Sequence, residues 1–596
     1  MFRGEGEDVH QNEARLNPAV NDEYNSYRAI TDVPEIDWDF IIVGGGTAGS
    51  VLANRLSENP SFNVLVIEAG PTNEGVIDSI VPGLQAGTAH SQVDWNFTTT
   101  PQKGLNGRSI TYQRGHVLGG SSSVNAMFYT RGCSSDFDRY ARVSGDPGWG
   151  WEKLQQYVRK SERFENPADN HDTSGQFDPG VHSFTGRVGV TLPGLLHPPV
   201  DSATLHAGTE LGGDFRFNLD MNSGRPLGLG WLQSTIGHDG TRSSAATSYL
   251  DADTMARKNL HIVTDTRVTR VLQSKGSPSE GLIIRSVEIR PQGTENNVVL
   301  TAKKEVILSA GSIMTPHILL HSGIGGRGDL KALGIPVLLH NPSVGQNLSD
   351  HPFFTATFGL VPNSIDLGPW SNIDPALQTQ AIELWKNNRT GPDVALLASD
   401  HVAWLRLPDN SPLFKQFSDP SSGPDAPHIE MVLGGSVGEY TIGVNIVSPA
   451  SRGSLRIQSS NPFDAPLIDL GIFNSDFDLF TAREAVKRTM GFAKAPVWRN
   501  IITDILAPFS GTMSDAEIEA VLRNMTKTAL HGISTAAMSP RNATWGVVDP
   551  DLLVKGVSGL RIVDASIMPY VPAAHTQTPV YMIAERAADL IKEAWK

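Results

Sequence analysis

Asp39-Phe40-Ile41-Ile42-Val43-Gly44-Gly45-Gly46-Thr47-Ala48-Gly49 is the stretch whose reading decides the fold class. The continuous apolar run Phe40 to Val43 predicts a strand buried on both faces, as in parallel sheets. It enters a turn in which Gly44, Gly46 and Gly49 have the G-x-G-x-x-G spacing. A helical pattern runs from Ser50 to Leu56, Asn59-Pro60 closes it, and a second apolar strand, Val64 to Ile67, ends at Glu68. Each part has a physical task. Gly44 permits the tight turn, Gly46 lets the backbone approach a pyrophosphate, and Gly49 packs helix against strand. Around Thr47 and Ala48 the helix start offers unpaired N–H groups and a positive dipole end to phosphate. Glu68 is placed to accept both ribose hydroxyls, and its charge would repel a 2′-phosphate. Glycine-rich turns are common, but strand, glycines, helix, strand and acid in this order are what dinucleotide binding needs. The segment predicts an α/β fold with a Rossmann-like dinucleotide-binding domain and leaves FAD against NAD open.

The chain around it has 596 residues, a length prior of roughly four domain-sized units. Lys plus Arg number 48 against 63 Asp plus Glu, for a net charge of −15. No basic surface is available to grip a phosphate backbone, so nucleic acid is not an expected partner. Mean hydropathy is −0.19, and no apolar run approaches the roughly 18 residues of a membrane helix. The single cysteine, Cys133, excludes a disulfide framework and reads as a small buried hydrophobe. Residues 1–35 are polar and acidic, lack an apolar signal-peptide core, and read as a disordered or loosely docked extension. The compartment is therefore open: extracellular if a leader was removed, otherwise cytoplasmic. Five N-x-S/T sequons, at Asn96, Asn347, Asn388, Asn524 and Asn542, permit secretion without showing it.

Three later segments bear on the cofactor. In 114–125, Gly119-Gly120-Ser121-Ser122-Ser123-Val124-Asn125 reads as a loop pressing its backbone on a ligand before entering a helix, or equally as an ordinary Ser-capped helix start. Val306 to Ser312 followed by Thr315-Pro316 reads as a buried strand, a glycine turn and a helix with Pro316 in its first turn. Gly559 to Ser566 is another strand ending in an acid, Asp564. Pro572-Ala573-Ala574-His575-Thr576-Gln577-Thr578-Pro579 follows it, then a helix from about Val580 to Ala594.

With these segments the chain resembles the glucose–methanol–choline (GMC) oxidoreductases, flavoproteins that oxidise alcohols with FAD. Residues 114–138 and 311–325 match the family's two signature patterns, with His116 a small departure; 344–351 and 545–579 match too. The resemblance covers roughly residues 36 to 596. Within the family it is nearest to fungal aryl-alcohol oxidases, then pyranose dehydrogenases, through DWNFTTTPQ (94–102), HVAWLRLP (401–408) and residues 539–566. It implies FAD held by scattered segments: Gly44, Gly46, Thr47, Ala48, Gly49, Glu68, Gly119, Gly120, Ser121, Asn125, Val268, Asp564, Ala565, Thr576 and Gln577. Some relatives attach FAD covalently through a His in the 121–126 loop; Val124 stands there in this chain, so non-covalent FAD is expected. No metal site is expected.

Two of the 17 histidines stand out, His531 in a loop-like stretch before Ser539-Pro540 and His575 in the proline-bounded loop. By resemblance both fall on the family's active-site positions. An imidazole titrating near 6.5 can take an alcohol's proton while the α-hydrogen leaves as hydride to flavin N5. His531 is assigned as base, and His575 as the group that hydrogen-bonds the substrate oxygen. The family's aromatic substrate path corresponds here to Phe97, which keeps a ring, and Leu530, which does not. The 428–440 segment looks shorter than its counterpart, either an opened lid or simply a different loop.

The expected activity is oxidation of a primary alcohol, aromatic or allylic, to an aldehyde with O₂ reduced to H₂O₂. A sugar dehydrogenase using quinones and a hydroxynitrile lyase on the same fold are the alternatives. A monomer is expected, with a small-molecule alcohol and O₂ or a quinone as partners. FAD-binding pieces are placed at 36–145, 240–350 and 540–596, and an α+β substrate half at 146–239 and 351–539. Tyr440 to Val447 and Ser454 to Ile457 are expected to share an antiparallel sheet under the pocket.

Overall fold

Phe40–Val43 pairs in parallel with Val64–Ile67 on one side and Glu305–Leu308 on the other, residue against residue along all four positions. All three strands are buried on both faces, which is why each is a pure apolar run or, in Glu305, carries an acid with a fixed partner. The sheet has six strands, in the order Ser26–Tyr27, Leu260–Val263, Val64–Ile67, Phe40–Val43, Glu305–Leu308, Leu560–Ile562, all parallel. Strands more than 500 positions apart in the chain therefore end at one edge, where Gly44, Glu68, Ser309 and Asp564 follow them. In open parallel sheets ligands bind outside that edge. Glu305 is held by Arg561 of the neighbouring strand through two hydrogen bonds, of 2.7 and 2.8 Å.

This is a computed structural model describing residues 26–596 apart from 29, 276–280, 363, 365–374, 397–398 and 437. Within the 1–35 extension, residues 1–25 and 29 lie outside the described residues. Ser26 and Tyr27 are not loosely placed: they pair in parallel with Ile262 and Val263 at the sheet edge.

The first helix spans Thr47–Ser57 and packs on the C-terminal helix, Gln577–Ala594. The helix after Glu305–Leu308 runs Gly311–His321, so Pro316 lies in its second turn rather than its first. Proline has no N–H for the Ser312 carbonyl four residues back. The Thr535 hydroxyl donates to that carbonyl instead, at 2.6 Å, so the interior proline leaves no buried acceptor unpaired. The 119–125 segment forms only a short turn, Gly120–Ser123; the next helix starts at Ser134, with Cys133 buried ahead of it.

The second large sheet has seven strands, paired antiparallel throughout. Its order is Ile502–Ile505, Pro352–Leu360, Glu439–Ile446, Ile429–Ser436, His401–Leu405, Gly228–Trp231, with Lys527–Thr528 also on Pro352–Leu360. Ser436 pairs directly with Glu439, so Ile429–Ser436 and Glu439–Ile446 are adjacent antiparallel strands of the sheet. Gly453–Arg456 does not join this sheet as expected. Pro449 intervenes, and the strand pairs with Gln346–Leu348 and Leu467–Asp469 in a separate small sheet. One continuous apolar core runs through both large sheets. Among the described residues no helix is long and apolar enough to cross a membrane.

Candidate active site

A cavity of about 690 Å³ opens between the carboxyl edge of the parallel sheet and one face of the antiparallel sheet. That lies within the roughly 300–1,000 Å³ of cofactor and ligand pockets. Its lining brings together Gly44, Gly46, Thr47, Ala48, Glu68, Gly120, Ser121, Asn125, Val268, Asp564, Ala565, Thr576 and Gln577 with Phe97, Leu530, His531 and His575. Gly49 and Gly119 do not line it. A Cβ on Gly49 would stand 1.9 Å from the Gly44 carbonyl oxygen, so its bare Cα is what lets the helix touch the turn. Gly119 has φ +87° and shapes the bend behind Gly120, whose own Cβ would stand 2.7 Å from the Gly46 Cα.

The cradle suits a dinucleotide. The Thr47–Ser57 helix has Gly46 as its N-cap and no side chain on its first amides, so its N–H groups and dipole end are left for a phosphate. The Gln577–Ala594 helix likewise starts at Thr576 without a side-chain cap. Its Gln577 Oε1 accepts from Asn125 Nδ2, which ties the two ligand-facing segments together. Glu68 is buried; Oε2 accepts from Gly45 N and Oε1 from Gly70 N, both at 2.8 Å. Its carboxylate thus braces the glycine turn and keeps further lone pairs for a ribose. Burial pushes its pKa up to about 7, against the opposing pull of those amides. Asp564 is more occupied than its motif implies. Oδ2 accepts from Gly311 N and Thr315 Oγ1, and Oδ1 from Ser566 N and Oγ. It ties its own turn to the start of the Gly311–His321 helix at the sheet edge.

At the other end of the cavity the rings of His531 and His575 stand 4.6 Å apart between centroids and nearly perpendicular. Lys527–Thr528, on the edge of the Pro352–Leu360 strand, delivers His531. Asp350 sets the loop, accepting from His531 N at 2.8 Å, His351 N at 2.7 Å, and the Tyr112 and Thr528 hydroxyls at 2.7 Å. Leu530 is left-handed (φ +64°), a strained conformation held by Arg114, whose guanidinium donates to the Leu530 carbonyl. His531 Nδ1 lies 3.0 Å from His351 Nδ1. Burial, then the neighbouring His575, His351 and Arg114, hold the His531 imidazole well below its ordinary pKa. Burial likewise brings His351 down to about 3. Both are neutral at physiological pH.

His575 is held differently. Its N–H donates to Thr130 Oγ1 at 2.7 Å, its Nε2 is 3.0 Å from Glu430 Oε1, and its ring meets Phe128 edge-on. Asn445 Nδ2 donates to the second Glu430 oxygen at 2.7 Å. Glu430, Asn445 and His351 are absent from the sequence-based site. Glu430 had a legible signal: an acid inside the apolar strand Ile429-Glu430-Met431-Val432-Leu433 must have a partner. The signal does not say which partner.

The remaining wall mixes amides and hydroxyls (Gln85, Gln113, Thr355, Ser399, Thr441) with the rings of Trp95, Phe97, Phe128 and Phe353. Trp95 and Phe97 stack at 5.5 Å. Val124 lines the cavity at the position discussed above.

The N-terminal GMC oxidoreductase domain matches residues 38–353 and the C-terminal domain residues 449–584. Pyranose dehydrogenase 3 of Leucoagaricus meleagris is 41% identical over 598 residues, covering 96% of each chain. An FAD-dependent oxidoreductase from Chaetomium thermophilum, solved with a bound fragment, is 30% identical with TM-score 0.83, covering 94% of this chain and 100% of that one. A fungal aryl-alcohol oxidase structure is 27% identical with TM-score 0.80, covering 94% and 99%. On the matched domains, the full-length similarity and the shared fold, this chain belongs to the GMC oxidoreductase family.

Proposed function

We propose that this protein is an FAD-dependent sugar dehydrogenase that oxidises a pyranose hydroxyl and passes the electrons to a quinone. The observation that carries the chemistry is the His531–His575 pair, 4.6 Å apart, in one cavity with the glycine cradle. The sugar is favoured over the aryl alcohol by the 41% identity to a pyranose dehydrogenase and by the amides and hydroxyls of the wall.

Bound FAD supplies the acceptor for the hydride leaving the alcohol carbon. Gly44 to Ala48 would hold its pyrophosphate, Glu68 its ribose, and the amides at Thr576 and Gln577 its ring. When the His351 Nδ1 lone pair faces His531, it accepts from His531 Nδ1–H. The unprotonated Nε2 of His531 then takes the substrate hydroxyl proton. His575, tied by Nε2 to Glu430, has Nδ1 for the substrate oxygen. Glu430 fixes the orientation of the His575 ring by accepting at Nε2. Val124 offers no nitrogen for a covalent flavin link, so the cofactor is dissociable; acid precipitation should leave the yellow colour in solution.

A second reading, aryl-alcohol oxidation with O₂ as acceptor, is favoured by the stacked Trp95 and Phe97 and by the 27% identical aryl-alcohol oxidase. Anaerobic flavin reduction by glucose and by benzylic alcohols, followed by reoxidation with O₂ and with benzoquinone, separates the two. Faster reduction by the benzylic alcohols, or O₂ reoxidation matching benzoquinone, would overturn the sugar dehydrogenase. No reduction by any alcohol would point to the lyase alternative.

A further inference from the structure

Behind the antiparallel sheet, on the face away from the cavity, four ionisable side chains meet in the protein interior. His197 precedes the Pro198–Leu211 helix, Asp201 lies in that helix's first turn, and Asp400 and His401 begin the His401–Leu405 strand. All four are between 1% and 5% exposed. His401 pairs with Leu433, and neither lines the cavity, whereas the neighbouring Val432 does. The cluster is therefore separate from the active site.

Its hydrogen bonding is incomplete. His197 Nδ1 is 2.6 Å from Asp400 Oδ2, the His197 amide donates to Asp201 Oδ2 at 2.6 Å, and His401 Nδ1 is 3.6 Å from Asp201 Oδ1. Asp400 Oδ1, His197 Nε2 and His401 Nε2 have no partner although all are buried. Among the described residues no Lys or Arg pairs with either carboxylate. Two buried carboxylates face each other with no Lys or Arg beside them, and the unpaired Asp400 oxygen forgoes in the interior the hydrogen bonds it has in water.

A divalent cation meets both deficits. His197, Asp201 and Asp400 each offer one donor atom, and the three atoms lie within 4.8 Å of one another. Tetrahedral zinc, with bonds of about 2.0–2.2 Å, puts its donors roughly 3.3–3.6 Å apart. The His197 Nδ1–Asp400 Oδ2 separation of 2.6 Å is shorter than this, and the Asp201 Oδ1–His401 Nδ1 separation of 3.6 Å matches it. Two carboxylates, neutral imidazole and a divalent cation sum to zero charge. Mixed nitrogen and oxygen donors suit zinc; calcium and magnesium prefer oxygen alone.

We propose that His197, Asp201 and Asp400, flanked by His401, form a closed structural zinc site that pins the Pro198–Leu211 helix to the back of the substrate sheet. On binding, Zn²⁺ takes the Nδ1 lone pair of His197, whose single proton then sits on Nε2, and both carboxylates bind as ionised groups. No redox change accompanies the step.

The test uses holoenzyme expressed with added zinc sulfate and dialysed against metal-free buffer. Elemental analysis should find zinc equimolar with flavin, and Asp400→Asn and His197→Gln should each lower it at least tenfold while keeping the flavin spectrum. Where a variant fails to fold, the wild type decides: stripping with a strong chelator should lower its Tm by several degrees, and Zn²⁺ should restore it. Zinc far below the flavin concentration, zinc retained equally by Asp400→Asn, or a Tm indifferent to chelator and Zn²⁺ would overturn the site.

Discussion

His351 Nδ1 and His531 Nδ1 lie 3.0 Å apart with their rings at 86°. Two nitrogens at this distance share one proton, so the tautomer of one ring dictates that of the other. Because burial and neighbouring charge hold His531 well below 6.5, the base is already unprotonated under mildly acidic conditions. Anaerobic flavin reduction should therefore stay level from pH 8 down through 6.5 and fall only at lower pH, as His531 takes up a proton. Stopped-flow reduction at a series of pH values checks this, and a decline centred at 6.5 or above would contradict it.

Removing the base should separate chemistry from cofactor binding. His531→Ala leaves the glycine cradle and both helix starts intact, so FAD remains bound at its normal absorbance ratio. Flavin reduction should slow by about 10²- to 10⁴-fold, the range of general-base catalysis. Near-normal stopped-flow reduction of the variant would remove His531 from the mechanism.

Glu430 accepts from Asn445 and faces His575 Nε2. Glu430→Gln keeps the shape and removes the charge. The loss of such a buried charged partner is worth about 1–3 kcal/mol, which corresponds to roughly a tenfold to hundredfold drop in kcat/KM. The drop should appear mainly in the reduction rate, with Tm less affected; unchanged reduction would show that His575 needs no carboxylate.

Gly49→Ala puts a methyl carbon 1.9 Å from the Gly44 carbonyl oxygen. The helix must move off the turn, at a cost of about 1–3 kcal/mol. Purified variant should show both a lower Tm and a lower ratio of flavin to protein absorbance. A wild-type ratio would mean that the turn tolerates the shift.

The substrate half has its own pH-sensitive support. His182 is buried between Glu162 Oε1 and Asp220 Oδ2, each at 2.7 Å, while Arg131 holds the other Glu162 oxygen. Burial opposes its charge, but the bonds to Asp220 and Glu162 outweigh it and raise the His182 pKa above 6.5. A raised folded-state value means that the stabilisation is complete below 6.5 and is lost as pH rises through the folded value. Denaturant midpoints should accordingly be higher at pH 6 than at pH 8.5, and His182→Phe should flatten that difference.

The amino-acid sequence by itself determined the dinucleotide half. Phe40–Val43, Gly44–Gly49, Val64–Ile67 and Glu68 interact within about thirty positions, and a parallel strand, a glycine turn and a helix start are local events with local signatures. His531 and His575 were reachable only through resemblance, because a lone histidine in a loop carries no signal of its partner. What tertiary structure alone decided is the set of groups that surround that pair. His351 meets His531 across 180 positions, Glu430 meets His575 across 145, and Asp350 spans the loop between strands. The His351–His531 approach follows from the pairing of Pro352 with Thr528, and the Glu430–His575 approach from the docking of the loop before the last helix on the antiparallel sheet, neither of which a single strand encodes. The register of that sheet places His401 on the face opposite the cavity, and Asp400, just ahead of that strand, meets His197. Desolvation then sets each proton affinity, and desolvation exists only once the chain has closed around the residue.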